Sequence, residues 1–570
     1  MVENHSLFQP AQLGPLSLRN RVVMASMTTR QADLEGYVTE GTLCYYQARA
    51  RGGVGLITVE MAAPEKVGRH RHNELGLYDD KFIDGLKSLV GVIHSEGAKA
   101  SIQIGHGGGH TRSDICGEAP IAPSAVVHSV HEGHTEYIIP QKMSIERIHQ
   151  TQKSFVKAAI RARKAGFDAV EIHGAHGYLL SQFLSTVENE RNDIYGNSDF
   201  NRARFSIEIV RQVKEAVPDL AVIFRMNGED FFSGGITLKQ AIQLALWIED
   251  AGADAIHVTA GHYRSKPDAA IMIPPMAAGD TPFRSYAKAI KKAIKIPVIS
   301  VGRYGNPNMA KDTINSGDAD FIALGRPLLA DPDWVRKAKD NLHPKPCIAC
   351  NTCVDGMRDG HKLHCLVNPQ TGREVDTLNQ SLALRGGRIA VIGAGPAGMS
   401  FAALMAEENH VTLFEKQKEV GGSFRLAGYA PKFQTVNAVT ETFEFYIQEM
   451  KIICEQKGVE IFTGLDPFSR PDCLTGFDWI VIATGAQIPF GLQPLIAHLL
   501  KSGFFKNGLM KKLASQNRIR DLFYKNLREA NGPNYQNKLN SKMRISLLGD
   551  AAKAGKASEA IKSAYALAYL

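Results

Sequence analysis

The sequence has no run of apolar residues near the ~18 to 20 needed to cross a membrane, so we expect no membrane span. The first residues, Met-Val-Glu-Asn-His-Ser, lack the basic and apolar regions of a signal peptide. Only eight of the 570 residues are cysteine, and four of these have no spacing typical of a disulfide framework. These absences argue against a secreted or membrane-spanning protein and predict a cytoplasmic one. The four scattered cysteines are Cys44, Cys116, Cys454 and Cys473.

The net positive charge is concentrated in one segment. The net charge is +8, but Lys501–Ile545 alone holds eleven Lys and Arg against two acidic residues, a local charge of +9. Such a segment could contact nucleic acid, an anionic membrane or an acidic protein, or it could be a solvated helical face. No nucleic-acid-binding motif accompanies it, so we expect no nucleic-acid partner.

A four-cysteine motif carries the strongest chemical signal. Cys347, Cys350 and Cys353 are each separated by two residues, and Cys365 follows after eleven more. Four thiolates at such spacing are typical ligands of a [4Fe-4S] cluster, which carries one electron at a time. The alternative is structural zinc, but zinc sites more often show two separated C-x-x-C pairs. We therefore predict an iron–sulfur segment over residues 341–386, including a polar linker.

Residues 1–340 alternate between short apolar runs and segments with helical periodicity. Eight such repeats predict an α/β protein that begins with a (β/α)8 barrel, whose chemistry lies at the C-terminal ends of the strands. The predicted strands are Arg21–Ser26, Val54–Glu60, Lys99–Gly105, Asp168–Gly174, Ala221–Asn227, Asp254–Gly261, Pro297–Arg303 and Asp320–Arg326.

The predicted strand ends are polar. The last two loops carry Gly302-Arg303 and Gly325-Arg326, and glycine amides with arginines at this place suit the phosphate of FMN. Arg225 suits the electron-rich edge of a reduced flavin, and Gln103 suits its pyrimidine ring. The candidate residues at the strand ends are Ala25, Thr28, Gln103, His173, His176, Tyr178, Arg225, Arg303, Gly325 and Arg326.

A second nucleotide-binding fold follows the cysteines. Gly393, Gly395 and Gly398 form a G-x-G-x-x-G turn after an apolar strand, and Glu415 ends the next strand 17 residues after Gly398. Together these form a dinucleotide fingerprint, with the pyrophosphate at the helix N-terminus and Glu415 on a ribose hydroxyl. We assign residues 387–490 and 545–570 to this domain and residues 491–544 to a basic helical segment within it.

The first 340 residues resemble the old yellow enzyme family. The marks are Asn20–Thr28, Gln103 with His106, His173-x-x-His176-x-Tyr178 and Gly325-Arg326-Pro327. The resemblance implies that His173 and His176 hold the carbonyl oxygen of a substrate while Tyr178 donates a proton. The later Ala-Thr-Gly and Gly549-Asp550 resemble flavoprotein disulfide reductases, which implies that Asp550 contacts FAD. The bound nucleotide could equally be ADP.

The order of barrel, cysteines and dinucleotide fold is similar to 2,4-dienoyl-CoA reductase, enoate reductases and trimethylamine dehydrogenase. In the reductases an NAD(P)H domain lies between the Ala-Thr-Gly and Gly-Asp strands, but here only 64 residues separate Gly485 from Asp550. The NAD(P)H domain is thus predicted to be truncated or missing. Electrons would then come from NAD(P)H acting directly at the barrel, or pass to or from an electron-transfer protein.

The favoured function is reduction of the C=C bond of an α,β-unsaturated carbonyl compound or thioester. The alternative is an amine dehydrogenase or demethylase that passes electrons to an electron-transfer protein, and a third option is a scaffold without turnover. Thr28 replaces the cysteine that binds flavin covalently in the amine enzyme, and Met61 and Met357 replace rings of its aromatic cage. The oligomeric state is left open, with a homo-oligomer among the options.

Overall fold

The computed structural model describes residues 6–131, 139–266, 269–378, 380–489, 492–536 and 544–569. Eight parallel strands close into a barrel in chain order, which confirms the predicted fold. The strand bounds differ from the predicted ones by a few residues at most. The strands are β1 (Val22–Met24), β2 (Leu56–Ala62), β3 (Lys99–Ile104), β4 (Ala169–Gly174), β5 (Ala221–Asn227), β6 (Ala255–Thr259), β7 (Val298–Val301) and β8 (Phe321–Leu324).

Helices cover the outside of the barrel. Every residue of β2, β4 and β5 is buried, as expected where side chains point alternately into the barrel and under the helices. Most of the long helices are amphipathic and turn their apolar face to the strands. They are α1 (Glu40–Arg51), α2 (Ile83–Ser95), α3 (Ile145–Lys164), α4 (Asp199–Ala216), α5 (Leu238–Asp250), α6 (Arg284–Lys291), α7 (Pro307–Asn315) and α8 (Trp334–Lys339).

A short antiparallel hairpin closes the N-terminal end of the barrel. Its strands, Ala11–Leu13 and Leu16–Leu18, bring three leucines into one apolar cluster with residues of the barrel interior. This end is therefore filled, and only the C-terminal ends of the strands are left to form a site.

The second domain is a five-stranded parallel sheet. Its strand order is β11-β10-β9-β12-β13, so β9, which precedes the glycine turn, lies in the middle. The edge strand β11 was not predicted from the sequence. The strands are β9 (Arg388–Ile392), β10 (His410–Glu415), β11 (Glu460–Thr463), β12 (Trp479–Ile482) and β13 (Arg544–Leu547).

Among the described residues, the remaining helices of seven residues or more include one in the cysteine segment, three against the sheet and three in the basic segment. In chain order they are α9 (Thr352–Arg358), α10 (Pro396–Met405), α11 (Thr440–Gln456), α12 (Gln493–Lys501), α13 (Gly508–Ala514), α14 (Asn517–Asn526) and α15 (Ala557–Ala568). Two residues of the basic segment, Glu529–Ala530, pair with Ala486–Gln487. Among the described residues, no helix is both long enough and apolar enough to span a membrane.

Candidate active site

A cavity of about 510 Å³ opens at the C-terminal end of the barrel. Every barrel residue predicted to belong to the site lines it, which places side chains from six strand ends around one space. They are Ala25, Thr28, Gln103, His173, His176, Tyr178, Arg225, Arg303, Gly325 and Arg326.

A buried carboxylate organises the floor of this cavity. Glu171 Oε1 accepts a hydrogen bond of 2.7 Å from Gln103 Nε2, and Oε2 lies 2.6 Å from His257 Nδ1. Arg225 Nη1 is 3.9 Å from the same carboxylate. Although burial disfavours the charge, His257 and Arg225 lower the pKa of Glu171, so the floor holds an ionised acid. Sequence reasoning missed Glu171 and His257 because both lie inside predicted strands.

The floor leaves hydrogen-bonding groups for a ligand. Gln103 Oε1 accepts from Ser26 Oγ at 3.1 Å, yet the amide keeps one N–H and one oxygen lone pair. Arg225 Nε and His173 Nδ1 are buried and have no partner among the described residues. An unpaired buried polar atom is costly, so these atoms indicate a polar ligand such as a flavin ring.

Three predicted catalytic side chains meet above the floor. The His173 ring lies 5.3 Å from that of His176 and 5.0 Å from that of Tyr178. Burial, and then the charge of Arg225, lower the pKa of both histidines well below the usual value. Burial, and then Tyr263, raise the pKa of Tyr178 well above its usual value. At neutral pH the site therefore presents two neutral imidazoles and a protonated phenol.

The opposite wall contains residues that the sequence did not single out as site residues. His70 and Arg71 follow β2 and line the cavity, and the His70 ring is 5.1 Å from that of Tyr178. Tyr263, in the loop after β6, places its hydroxyl 3.4 Å from that of Tyr178. The available signal was position: the Gly68–His72 loop follows the second barrel strand, where chemistry is expected.

The loops after β7 and β8 form the other end of the cavity. Arg303 donates to the carbonyls of Pro275 and Met276, at 2.8 and 2.5 Å. Arg326 donates to Pro274 O at 2.7 Å and to Asn351 Oδ1 at 2.5 Å. A guanidinium has five N–H groups, so each arginine keeps donors for a phosphate. The arrangement suits a phosphate group and also fixes the surrounding loop.

The four cysteines of the motif line one small cavity behind Arg326. Cys347 and Cys353 also line the barrel cavity, so the two spaces adjoin. Burial, and then Cys347 and Cys350, raise the pKa of Cys365 to about 12. Four neighbouring thiols, two of them buried and two half-buried, suit a cation that holds them deprotonated. Among the described residues, no group of three or more His, Cys, Asp or Glu side chains is placed to hold a metal ion, so the cluster stays a prediction.

The dinucleotide fold encloses a second cavity of about 1920 Å³. Gly393, Gly395, Glu415 and Asp550 line it, but Gly398 does not. A Cβ on Gly398 would lie 2.0 Å from Gly393 O, so this glycine is required for packing the turn. Helices α12 and α14 of the basic segment line the same cavity.

Two acidic residues of this cavity already have partners. The Glu415 carboxylate accepts from the N–H groups of Ala394 and Gln417, both at 2.9 Å. Asp550 pairs with Arg528 and accepts from Gly555 N at 3.2 Å. Each carboxylate oxygen can accept a further hydrogen bond, so the predicted nucleotide contacts stay predictions.

Known proteins share both domains. The model of the NADH:flavin oxidoreductase / NADH oxidase family matches residues 6–345, and that of an NAD(P)-binding Rossmann-like domain matches residues 391–437. The chain belongs to the NADH:flavin oxidoreductase / NADH oxidase family. It is therefore an FMN-dependent oxidoreductase, and the resemblance to old yellow enzyme is confirmed.

Individual relatives cover most of the chain. An NADH oxidase from Thermoanaerobacter brockii is 38% identical over 493 residues, 85% of this chain and 73% of the relative. A cinnamate reductase from Clostridium sporogenes is 31% identical over 514 residues, 84% of this chain and 74% of the relative. A structure of 2-naphthoyl-CoA reductase covers 99% of both chains with a TM-score of 0.86 at 23% identity, which shows a shared fold.

Proposed function

We propose that this flavoenzyme reduces the C=C bond of an α,β-unsaturated carbonyl compound or thioester. The observation that carries the proposal is the meeting of His173, His176 and Tyr178 in the barrel cavity. FMN, when bound over Gln103 and Arg225, supplies the hydride for the β-carbon. The likeness to cinnamate reductase supports this reaction class.

The two histidines bind the substrate oxygen in this proposal. Both are neutral, and His176 is held by a contact of 3.1 Å between Nε2 and Thr259 Oγ1. His173 Nδ1 has no partner among the described residues. Fixed N–H donors in a buried cavity stabilise negative charge that develops on the oxygen, without reorganising at that moment.

Tyr178 donates the proton to the α-carbon. Its raised pKa keeps the hydroxyl protonated at neutral pH, as a general acid requires. Tyr263 lies 3.4 Å away and can return a proton to Tyr178 after each turnover. Tyr263 itself stacks on His110 with ring centroids 4.5 Å apart, which fixes its orientation.

The proposal assigns the other two cavities to redox groups. Cys347, Cys350, Cys353 and Cys365 would hold a [4Fe-4S] cluster, which would supply a one-electron carrier beside the barrel cavity. The cavity of the dinucleotide fold would hold FAD or ADP. The electron donor would be NAD(P)H at the barrel or an electron-transfer protein.

An amine substrate fits the cavity less well. The guanidinium of Arg71 lines the wall and would repel a substrate ammonium. Met61 and Met357 also line the cavity. From the sequence, they replace two rings of the aromatic cage of the amine dehydrogenase. We therefore prefer ene reduction to amine oxidation.

The test is Tyr178→Phe in the holoenzyme. We expect the reduction of an unsaturated ketone to slow by about 10² to 10⁴-fold, the usual contribution of a general acid. Anaerobic stopped-flow with excess reduced enzyme isolates this step, and reduction of the flavin by its donor should not change. Tyr195→Phe is the matched control, because it removes a buried hydroxyl that bonds Glu208 outside the cavity. An unchanged rate in Tyr178→Phe would contradict the proposed role.

A further inference from the structure

The cation Arg71 lies in the wall of the substrate cavity. Its side chain is half-buried, and its Nε is buried without a hydrogen-bond partner among the described residues. In that same part of the chain, no carboxylate lies within ion-pair distance of its guanidinium. A buried donor without a partner is costly, so its presence needs an explanation. A ligand that enters the cavity could supply the missing anion.

The nearby acid does not neutralise Arg71 through the side chain. Glu74 Oε2 accepts from the backbone N–H groups of His70 and Arg71, at 2.9 and 3.1 Å. The same oxygen lies 2.8 Å from His70 Nδ1. Glu74 thus holds the loop and the His70 ring, while the guanidinium of Arg71 lies on the cavity side.

Arg71 also lies beside the reacting groups. Its guanidinium interacts with the side chain of Tyr178. Burial opposes the charge of Arg71, but Tyr263, Tyr178 and Glu74 outweigh burial and raise its pKa. Arg71 therefore stays charged while facing the place where the proposed substrate carbonyl lies.

We infer that the substrate carries a carboxylate conjugated to its double bond, and that Arg71 binds this carboxylate. The inference rests on the proposed function and narrows it from carbonyl compounds and thioesters to free acids. One carboxylate oxygen lies at His173 and His176, and the other accepts from the Arg71 guanidinium.

Reduction of an unsaturated acid requires a positive charge beside the carboxylate. When hydride from the reduced flavin adds to the β-carbon of an unsaturated acid, an electron pair moves onto a carboxylate that is already negative. The proton from Tyr178 then completes the new C–H bond at the α-carbon. Neutral N–H donors suffice for a ketone, but a doubly charged group needs a fixed positive charge. A thioester would instead put an uncharged sulfur beside Arg71 and leave Nε without a partner.

The experiment compares trans-cinnamate with cinnamaldehyde, which share the ring and double bond but differ in charge. In Arg71→Gln we expect the KM for cinnamate to rise about tenfold to a hundredfold, as for loss of a charged hydrogen bond. The KM for cinnamaldehyde should change less than about threefold. Arg71→Lys keeps the charge and should recover part of the cinnamate affinity. Arg112→Gln, which removes an exposed arginine paired with Asp114, is the control.

A binding measurement separates this inference from the proposed reaction. The reduced product 3-phenylpropanoate and its amide are titrated into the oxidised enzyme, and perturbation of the flavin spectrum gives both dissociation constants. Loss of acid binding alone in Arg71→Gln supports the inference even if no substrate is turned over. Equal effects on acid and amide, or no effect on either, would overturn it. Failure to reduce either probe, with acid binding still dependent on Arg71, would overturn only the proposed reaction.

Discussion

At the scale of single residues, burial fixes the protonation of the groups around Tyr178. To become charged, His173 and His176 would each have to gain a second ring proton in a space where Arg225 already carries a positive charge. Tyr178 would have to lose its proton beside Tyr263 in the same low-dielectric space. Both changes are unfavourable, so the donors and the acid keep their forms over a wide pH range.

The rate of ene reduction should therefore be flat from about pH 6 to about pH 9, because neither the depressed histidine pKa values nor the raised tyrosine pKa falls in that window. Single-turnover rates across this range test the prediction. A step centred near pH 6.5 would mean that a histidine titrates with its ordinary pKa and would contradict the buried, neutral pair.

The same histidines predict how stability depends on pH. Their pKa values are lower in the folded protein than in the unfolded chain, so the unfolded chain binds more protons below about pH 6.5. The free energy of unfolding is therefore not reduced by these histidines above about pH 6.5, and it falls as the pH drops below that value. Chemical denaturation at several pH values measures this loss. The control variant is Thr259→Val, which removes the hydroxyl that contacts His176 but leaves the ring buried.

At the scale of elements, the cysteine loop is shaped by backbone that few residues adopt. Ala349 and Asn351 have φ values of 48° and 57°, so a left-handed residue lies on each side of Cys350. The Asn351 side chain donates to Ile273 O and accepts from Arg326, which ties the loop to the barrel. These two hydrogen bonds fix the cysteine loop against the barrel.

Cys353→Ser should abolish the iron–sulfur cluster, because it removes a predicted ligand. Cys353 lies near the start of α9 and lines both the barrel cavity and the cysteine cavity. Iron and labile sulfide per flavin, with the visible spectrum, measure the loss. Cys473→Ser, at a half-buried cysteine outside the motif, should retain both. Full iron in Cys353→Ser, or zinc alone in the parent protein, would contradict the assignment.

The glycine turn after β9 offers a matched pair of substitutions. Gly398→Ala places a Cβ 2.0 Å from a backbone oxygen and should destabilise the turn by about 1 to 3 kcal/mol. Gly395→Ala meets nothing within 4 Å, yet this residue lines the cavity beside the start of α10. We expect Gly395→Ala to fold normally and to lose nucleotide, measured by thermal unfolding and by the nucleotide released on denaturation. Equal stability of the two variants would contradict this distinction.

At the scale of the whole molecule, the second domain completes the site of the first. The start of α11 contributes Glu441, Thr442 and Phe445 to the lining of the barrel cavity. The fully buried Arg49 of α1 pairs with Glu374 of the linker, so the linker is packed against the barrel. The barrel cavity, the cysteine cavity and the sheet therefore form one continuous assembly.

Anaerobic titration of the holoenzyme with NADH, and separately NADPH, tests how electrons enter this assembly. The basic segment contributes helices to the lining of the dinucleotide cavity, and the barrel cavity contains the predicted flavin-binding residues. We expect one nucleotide to bleach the flavin through the barrel cavity, and the bleaching to persist in Cys353→Ser. No bleaching by either nucleotide would point to an electron-transfer protein as the donor.

The sequence alone determined the architecture, because it depends on repeated local patterns. Eight apolar runs alternating with helical periodicity specify a barrel, and a glycine turn between two apolar strands specifies a dinucleotide fold. It also marked His173, His176 and Tyr178, since the ends of barrel strands are where chemistry lies. Edge strand β11 was not predicted because its four residues, Glu-Ile-Phe-Thr, hold fewer apolar side chains than the inner strands and are mostly exposed, so its pairing with β10 identifies it.

Tertiary structure alone decided which side chains share the cavity. Arg71 and Tyr263 both line it although they are 192 positions apart, and nothing in the local sequence of either predicts a common site. Arg71 lies in a polar loop where an arginine is ordinary, and only folding leaves its Nε buried without a hydrogen-bond partner among the described residues. Burial and long-range contacts, which set the charges and pKa values of the site, exist only once distant segments pack together.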